Sequence, residues 1–127
     1  MAESTDEKLK VVQRLISAFN QPDFEELSAV LAEGIIFSHK NKGMEGQGKE
    51  KLLANIRMMN DAFPGRVIGE TKRYAVNGDV VFREAHWTGQ AAQDVPGFAE
   101  AGQQAYLDTA TLFVIHGGRI HEWSDFG

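Results

Sequence analysis

Asn77-Gly78-Asp79-Val80-Val81-Phe82-Arg83-Glu84-Ala85-His86-Trp87-Thr88 lies in the half of the chain where one kind of pattern has given way to another. Before residue 66 apolar side chains recur at helical intervals; after it they alternate. Asn-Gly is the strongest short hairpin signal, because both central positions of a type I′ turn need a positive φ. Residues 67–76 and 80–88 are therefore predicted to form a long hairpin. A second is predicted around Gly117-Gly118, from residues 105–116 and 119–125. Residues 91–104, interrupted by Pro96 and by glycine and small residues, read as a long loop over the sheet or around a pocket mouth.

Toward the N-terminus the signals are those of helices. Ser4 and Glu7 have capping-box spacing, and Leu9, Val12, Leu15, Ile16 and Phe19 then share one helical face until Asn20-Gln21-Pro22 ends it. Asp23 and Glu26 cap a second, short helix with Phe24, Leu27, Val30 and Leu31 as its stripe and a stop near Gly34. Ile35-Ile36-Phe37 reads as a short strand entering a polar, glycine-rich loop at residues 41–48. A third helix over residues 49–61 carries Leu52, Leu53, Ile56 and Met59 on one face and closes at Phe63-Pro64-Gly65. Helices first and strands afterwards make an α+β fold: three N-terminal helices covering a curved antiparallel sheet, whose concave side either fills with side chains or takes a ligand.

Composition bounds the function. A chain of 127 residues is expected to be one domain, long enough to bury a core without staples. It has no cysteine, which excludes thiol redox chemistry and a disulfide scaffold. Lys+Arg 13 against Asp+Glu 18, a net charge of -5, argues against a nucleic-acid partner. Residues 1–10 are polar and charged with no apolar leader, and no apolar run is long enough to span a membrane, so a cytoplasmic location and no membrane partner are expected. His86, His116, His121 and Glu84 are metal-ligand types, but without His-x-His or H-E-x-x-H spacing, and Gly43, Gly46 and Gly48 do not make a phosphate-binding loop. Neither a metal nor a cofactor is expected.

The order of elements, the Leu15-Ile16-Ser17-Ala18-Phe19-Asn20 wording of the opening helix, Phe63-Pro64 before the first long strand, Trp87-Thr88-Gly89, and the closing run from Gly118 to Phe126 together resemble the NTF2-like superfamily, in its SnoaL-like and limonene-epoxide-hydrolase-like branches. The resemblance covers nearly the whole chain. It implies a cone-shaped α+β barrel with an interior pocket, commonly a homodimer through the outer sheet face. It implies no single activity, since the fold hosts isomerases, cyclases, dehydratases, epoxide hydrolases and binding proteins.

The resemblance also nominates residues. In the epoxide-hydrolase branch an aspartate in a Trp-x-Asp pattern is a pocket acid/base, and Trp123-Ser124-Asp125 matches it. The alternative for Asp125 is a strand-terminal carboxylate that accepts loop hydrogen bonds. In that branch two places on a middle strand hold an arginine and an aspartate; matched to Glu84 and His86, they argue against epoxide hydrolysis and leave His86 as a proton shuttle for Asp125. Spacing puts Glu84 and His86 on one strand face, and Val81, Ala85 and Trp87 with Arg83 on the other, without deciding which faces inward. Phe37 and His39 match the places that position a water in the relatives; His39 is equally consistent with a surface turn beside Lys40 and Lys42. Leu107, Thr109, Thr111, Phe113 and Ile115 match the family's pocket lining, which puts Asp108 on the outer face.

The expectation is thus a small-molecule pocket with Asp125, His86 and His39 as catalytic groups and Glu84, Phe37, Trp123, Leu107 and Thr109 around a small apolar organic substrate. Isomerisation, cyclisation or dehydration by acid/base catalysis would follow, in a homodimer. The alternative is a non-catalytic binding or dimerisation module. The two diverge on whether Asp125 and His86 face one enclosed space.

Overall fold

A computed structural model describes residues 4–126. Helix α1 (Thr5–Asn20) begins where the Ser4 hydroxyl accepts from the Glu7 amide at 3.1 Å, and α2 (Phe24–Val30) where Asp23 accepts from the Glu26 amide, so both predicted caps form. Val11, Val12, Leu15, Ile16 and Phe19 of α1 are buried. The third helix, α3 (Lys49–Ala62), buries Leu52, Leu53 and Ile56. No helix among the described residues is long and apolar enough to cross a membrane.

Strand β1 (Leu31–His39) follows α2 directly rather than after a stop near Gly34, because Leu31 is already extended and pairs with the last strand. The expected glycine-rich loop contains a 3₁₀ turn (Lys40–Lys42) and a short strand β2 (Met44–Gln47) that pairs back on β1. Gly46 is opposite Phe37, and a Cβ there would meet the phenyl ring at 2.5 Å. The ring occupies the space that a side chain on β2 would need.

The first long hairpin is interrupted. β3 (Val67–Ile68) and β4 (Arg73–Asn77) both pair with β5 (Val80–Gln90), and the chain between them leaves the ladder after the Gly69 amide bonds the His86 carbonyl. The break turns the Gly69 carbonyl and the Thr71 hydroxyl toward Arg83, which donates to both. The second hairpin forms as predicted, from β6 (Gln104–His116) and β7 (Arg119–Phe126).

The strand order is β2-β1-β7-β6-β5-β3, with β4 also on β5. The β1–β7 pairing is parallel, so the sheet is mixed and unclosed rather than wholly antiparallel. Its concave face packs against the helices. Buried cations brace the two layers at the sheet's β3–β5 side: Lys8 donates to the Gly78 carbonyl at 2.5 Å at the turn of the first hairpin. Arg66 donates to the Phe19 carbonyl and to Asn60, with its guanidinium 4.4 Å from the Phe19 ring centroid. Residues 91–104 close one end of the core, where Phe98 packs on Phe63 (5.5 Å) and Trp87 (5.9 Å).

Candidate functional site

Register decides which side chains meet. Ladder partners stand side by side on one face of a sheet, so the pairings Arg83–Thr111, Thr111–Asp125 and Asp125–His39 run as one row across β5, β6, β7 and β1. The neighbouring row is Val81, Phe113, Trp123 and Phe37, all buried. Both rows lie on the concave face. Trp123 packs against Phe113 (5.9 Å) and edge-on to Phe19 of α1 (6.1 Å), which fixes the indole beneath the helix layer.

Asp125 is held from two sides. The Thr111 hydroxyl donates to Oδ1 at 2.7 Å and the Trp123 indole N–H donates to the same oxygen at 3.1 Å. Oδ2 accepts no hydrogen bond among the described residues. Burial pushes the carboxyl above the usual aspartate range, offset in part by the Thr111 hydrogen bond, then by the charge of His39 and the Trp123 hydrogen bond. A carboxyl with one fixed oxygen and a raised pKa is able to take up and release a proton at Oδ2.

The other sequence-nominated residues divide between the two faces. His39, Phe37, Trp123, Leu107 and Thr109 share the face of Asp125; Leu107 and Thr109 are half-buried, and the Thr109 hydroxyl donates to the Ala85 carbonyl at 3.2 Å. Glu84 and His86 do not share it. Their ladder partners on β6 are Ala110 and Asp108, on the convex face, so the expected pairing of His86 with Asp125 does not form. His86 instead meets Asp108 (Nδ1 to Oδ1, 3.0 Å) and the Tyr106 hydroxyl, which itself donates to Asp108 at 2.9 Å. Lys72 adds an ion pair at 3.6 Å. Tyr106, Asp108 and Lys72 are exposed, and the Tyr106 hydrogen bond is the first cause of the lowered Asp108 pKa. Glu84 pairs with Arg73 at 2.9 Å.

The inward positions of β5 next to Glu84 and His86 are therefore Arg83, Ala85 and Trp87. An arginine is present on the concave face, contrary to the match made with Glu84 and His86, but it binds the Gly69 carbonyl and Thr71. Ala85 supplies no second carboxylate. Arg83 was missed as a member of this row, and Thr111 was read only as lining of the face, not as the group that holds Asp125. The signal for Thr111 was its parity with Leu107 and Thr109; for Arg83 it was a lone charge on the apolar side of its strand. Among the described residues no group of three or more His, Asp or Glu side chains is placed to hold a metal.

Residues 9–127 match the family model described as SnoaL-like polyketide cyclase. Solved structures with the same fold include a candidate polyketide cyclase from Xanthomonas campestris (23% identity, 96% of this chain and 90% of that one, TM-score 0.84). Another is a candidate polyketide cyclase from Pseudomonas putida (26% identity, 94% and 90%, TM-score 0.83). An epoxide hydrolase of the limonene-epoxide-hydrolase-like type from M. tuberculosis is similar in fold (19% identity, 96% and 83%, TM-score 0.75). No curated protein matches the sequence.

Proposed function

Because the chain belongs to the SnoaL-like polyketide cyclase family, we propose that it is a metal- and cofactor-independent acid/base catalyst acting on a small, largely apolar carbonyl compound, by isomerisation or intramolecular cyclisation. The observation that carries the reading is the Asp125 carboxyl, half-buried, raised in pKa by desolvation and, among the described residues, hydrogen-bonded through Oδ1 alone. Oδ2 removes a proton from the carbon beside a carbonyl. The enolate carbon then either takes the proton back at another position or attacks a second carbonyl of the same molecule, with the proton passing to the new alkoxide. His39, the cross-strand neighbour of Asp125, is the second proton-handling group, and Phe37, Trp123, Leu107 and Thr109 line the surrounding face. The absence of a second inward carboxylate from β5 disfavours epoxide opening, which needs one acid and one base at once.

The test is solvent-deuterium exchange into a small apolar β-diketone, followed by NMR. Wild type is expected to accelerate exchange, and Asp125→Asn to lower the rate about 10²- to 10⁴-fold, with His86→Ala unchanged. Exchange that survives Asp125→Asn overturns the assignment.

We also propose a homodimer through the convex face, where Ile36, Val67, Phe82 and Tyr106 are exposed beside half-buried Leu112 and Val114. Phe82→Asp is expected to halve the mass measured by light scattering; a wild type that is already monomeric contradicts this.

A further inference from the structure

Arg83 is 5% exposed, yet no carboxylate lies within ion-pair distance of it among the described residues. Nε donates to Thr71 Oγ1 at 2.7 Å and Nη2 to the Gly69 carbonyl at 2.6 Å; Nη1 has no hydrogen-bond partner among the described residues. Buried charges are ordinarily paired, because dipoles alone recover only part of the lost hydration. Arg66 is the useful contrast. It too is buried without a carboxylate among the described residues, but it stacks on Phe19 and does not line the groove that Arg83 borders. Arg83 lines a groove of about 130 Å³ between α1 and the sheet. The groove's apolar walls are Leu9, Val12 and Ile16 of α1 and Val81 of β5, and the exposed Gln13, Thr71 and Tyr74 also border it.

An apolar slot with one uncompensated cation is the complement of an amphipathic anion. A dry cavity of about 150 Å³ holds a benzene ring, so this open groove fits a ring or a short branched chain with its charge toward Arg83. We propose that the groove between α1 and β5 is a binding site for a small apolar carboxylate, paired with Arg83 through Nη1. It is distinct from the Asp125 centre, which lies two strands away, about 10 Å at ordinary strand spacing, and it does not rest on the proton-transfer reading. The desolvation that disfavours the bare guanidinium here is offset by the opposite charge of a bound carboxylate.

Benzoate and its neutral isostere benzamide separate charge from shape, and inorganic phosphate separates the apolar walls from charge. In calorimetric titrations of the full chain, benzoate is expected to bind saturably and about tenfold or more tighter than benzamide, the range of one charge-assisted hydrogen bond, with phosphate not saturating. Amide shifts should centre on α1 and on residues 69–83. Arg83→Gln is expected to bring benzoate down to the level of benzamide. Should that variant fail to fold, Gln13→Glu supplies a carboxylate beside the groove and is expected to weaken benzoate severalfold while raising the melting temperature. Equal binding of benzoate and benzamide, no saturable benzoate binding, phosphate binding as tight as benzoate, or benzoate affinity unchanged in Gln13→Glu each overturns the proposal.

Discussion

The two faces of the sheet carry nearly the same chemical inventory with opposite consequences. On the concave face Asp125, His39, Thr111 and Arg83 form one row; on the convex face Asp108, His86, Tyr106 and Lys72 form a cluster with more mutual contacts. Judged by hydrogen bonds alone the convex cluster resembles a catalytic triad more than the concave row does. Burial reverses that ranking. Water screens Asp108, and hydrogen bonding lowers its pKa, which leaves it a weak base. Asp125 is desolvated and its pKa moves the other way. A dense hydrogen-bond cluster is therefore a poor guide to function unless the desolvation around it is known.

Consecutive residues on β1 offer the strongest way to break this comparison. Phe37 is 2% exposed and Ile36 is 51% exposed, one step of parity apart. Phe37→Ala is expected to cost about 3–5 kcal/mol by denaturant unfolding, and Ile36→Ala about 1 kcal/mol or less in the monomer. Similar losses from both would mean the faces are wrongly assigned. A smaller effect sharpens the convex side: Glu84→Gln removes the ion pair with Arg73 and should cost less than about 1 kcal/mol, with the difference fading in high salt.

Asp125→Asn addresses the concave side through pH. The folded-state pKa of Asp125 is raised above its unfolded value, so the native state holds the extra proton between the two and stability falls as pH rises through that window. Asparagine keeps an oxygen to accept from Thr111 and Trp123 and removes the charge. The variant is expected to equal wild type at acid pH and to become more stable than it as pH rises; a loss of stability at neutral pH contradicts the burial argument.

Much of this architecture could be read from local chemistry. The caps at Ser4 and Asp23, the Asn77-Gly78 and Gly117-Gly118 turns and the proline after α3 all act within a few residues, and all lie at element ends. What escaped was long-range. The parallel pairing of β1 with β7 joins residues 86 to 89 positions apart, and neither strand carries a mark of its partner. β2 is too short to show a period. The break between β3 and β4 exists to face Arg83, a tertiary requirement invisible in the alternation of either strand. Among site residues, Asp125, His39, Phe37 and Trp123 were nominated on the face where they lie. Glu84 and His86 were placed one residue out of register, because alternation defines two faces without naming the inner one. The β5–β6 register supplies the answer: Asp108 is outside, and its antiparallel partner His86 is outside with it.

The central claim, that burial rather than hydrogen-bond geometry separates the two aspartates, is tested most directly by titrating both carboxyls with carbon-detected NMR on one sample. Asp125 is expected to titrate above the ordinary aspartate value and Asp108 below it. Coincident titrations, or Asp108 above Asp125, would contradict it.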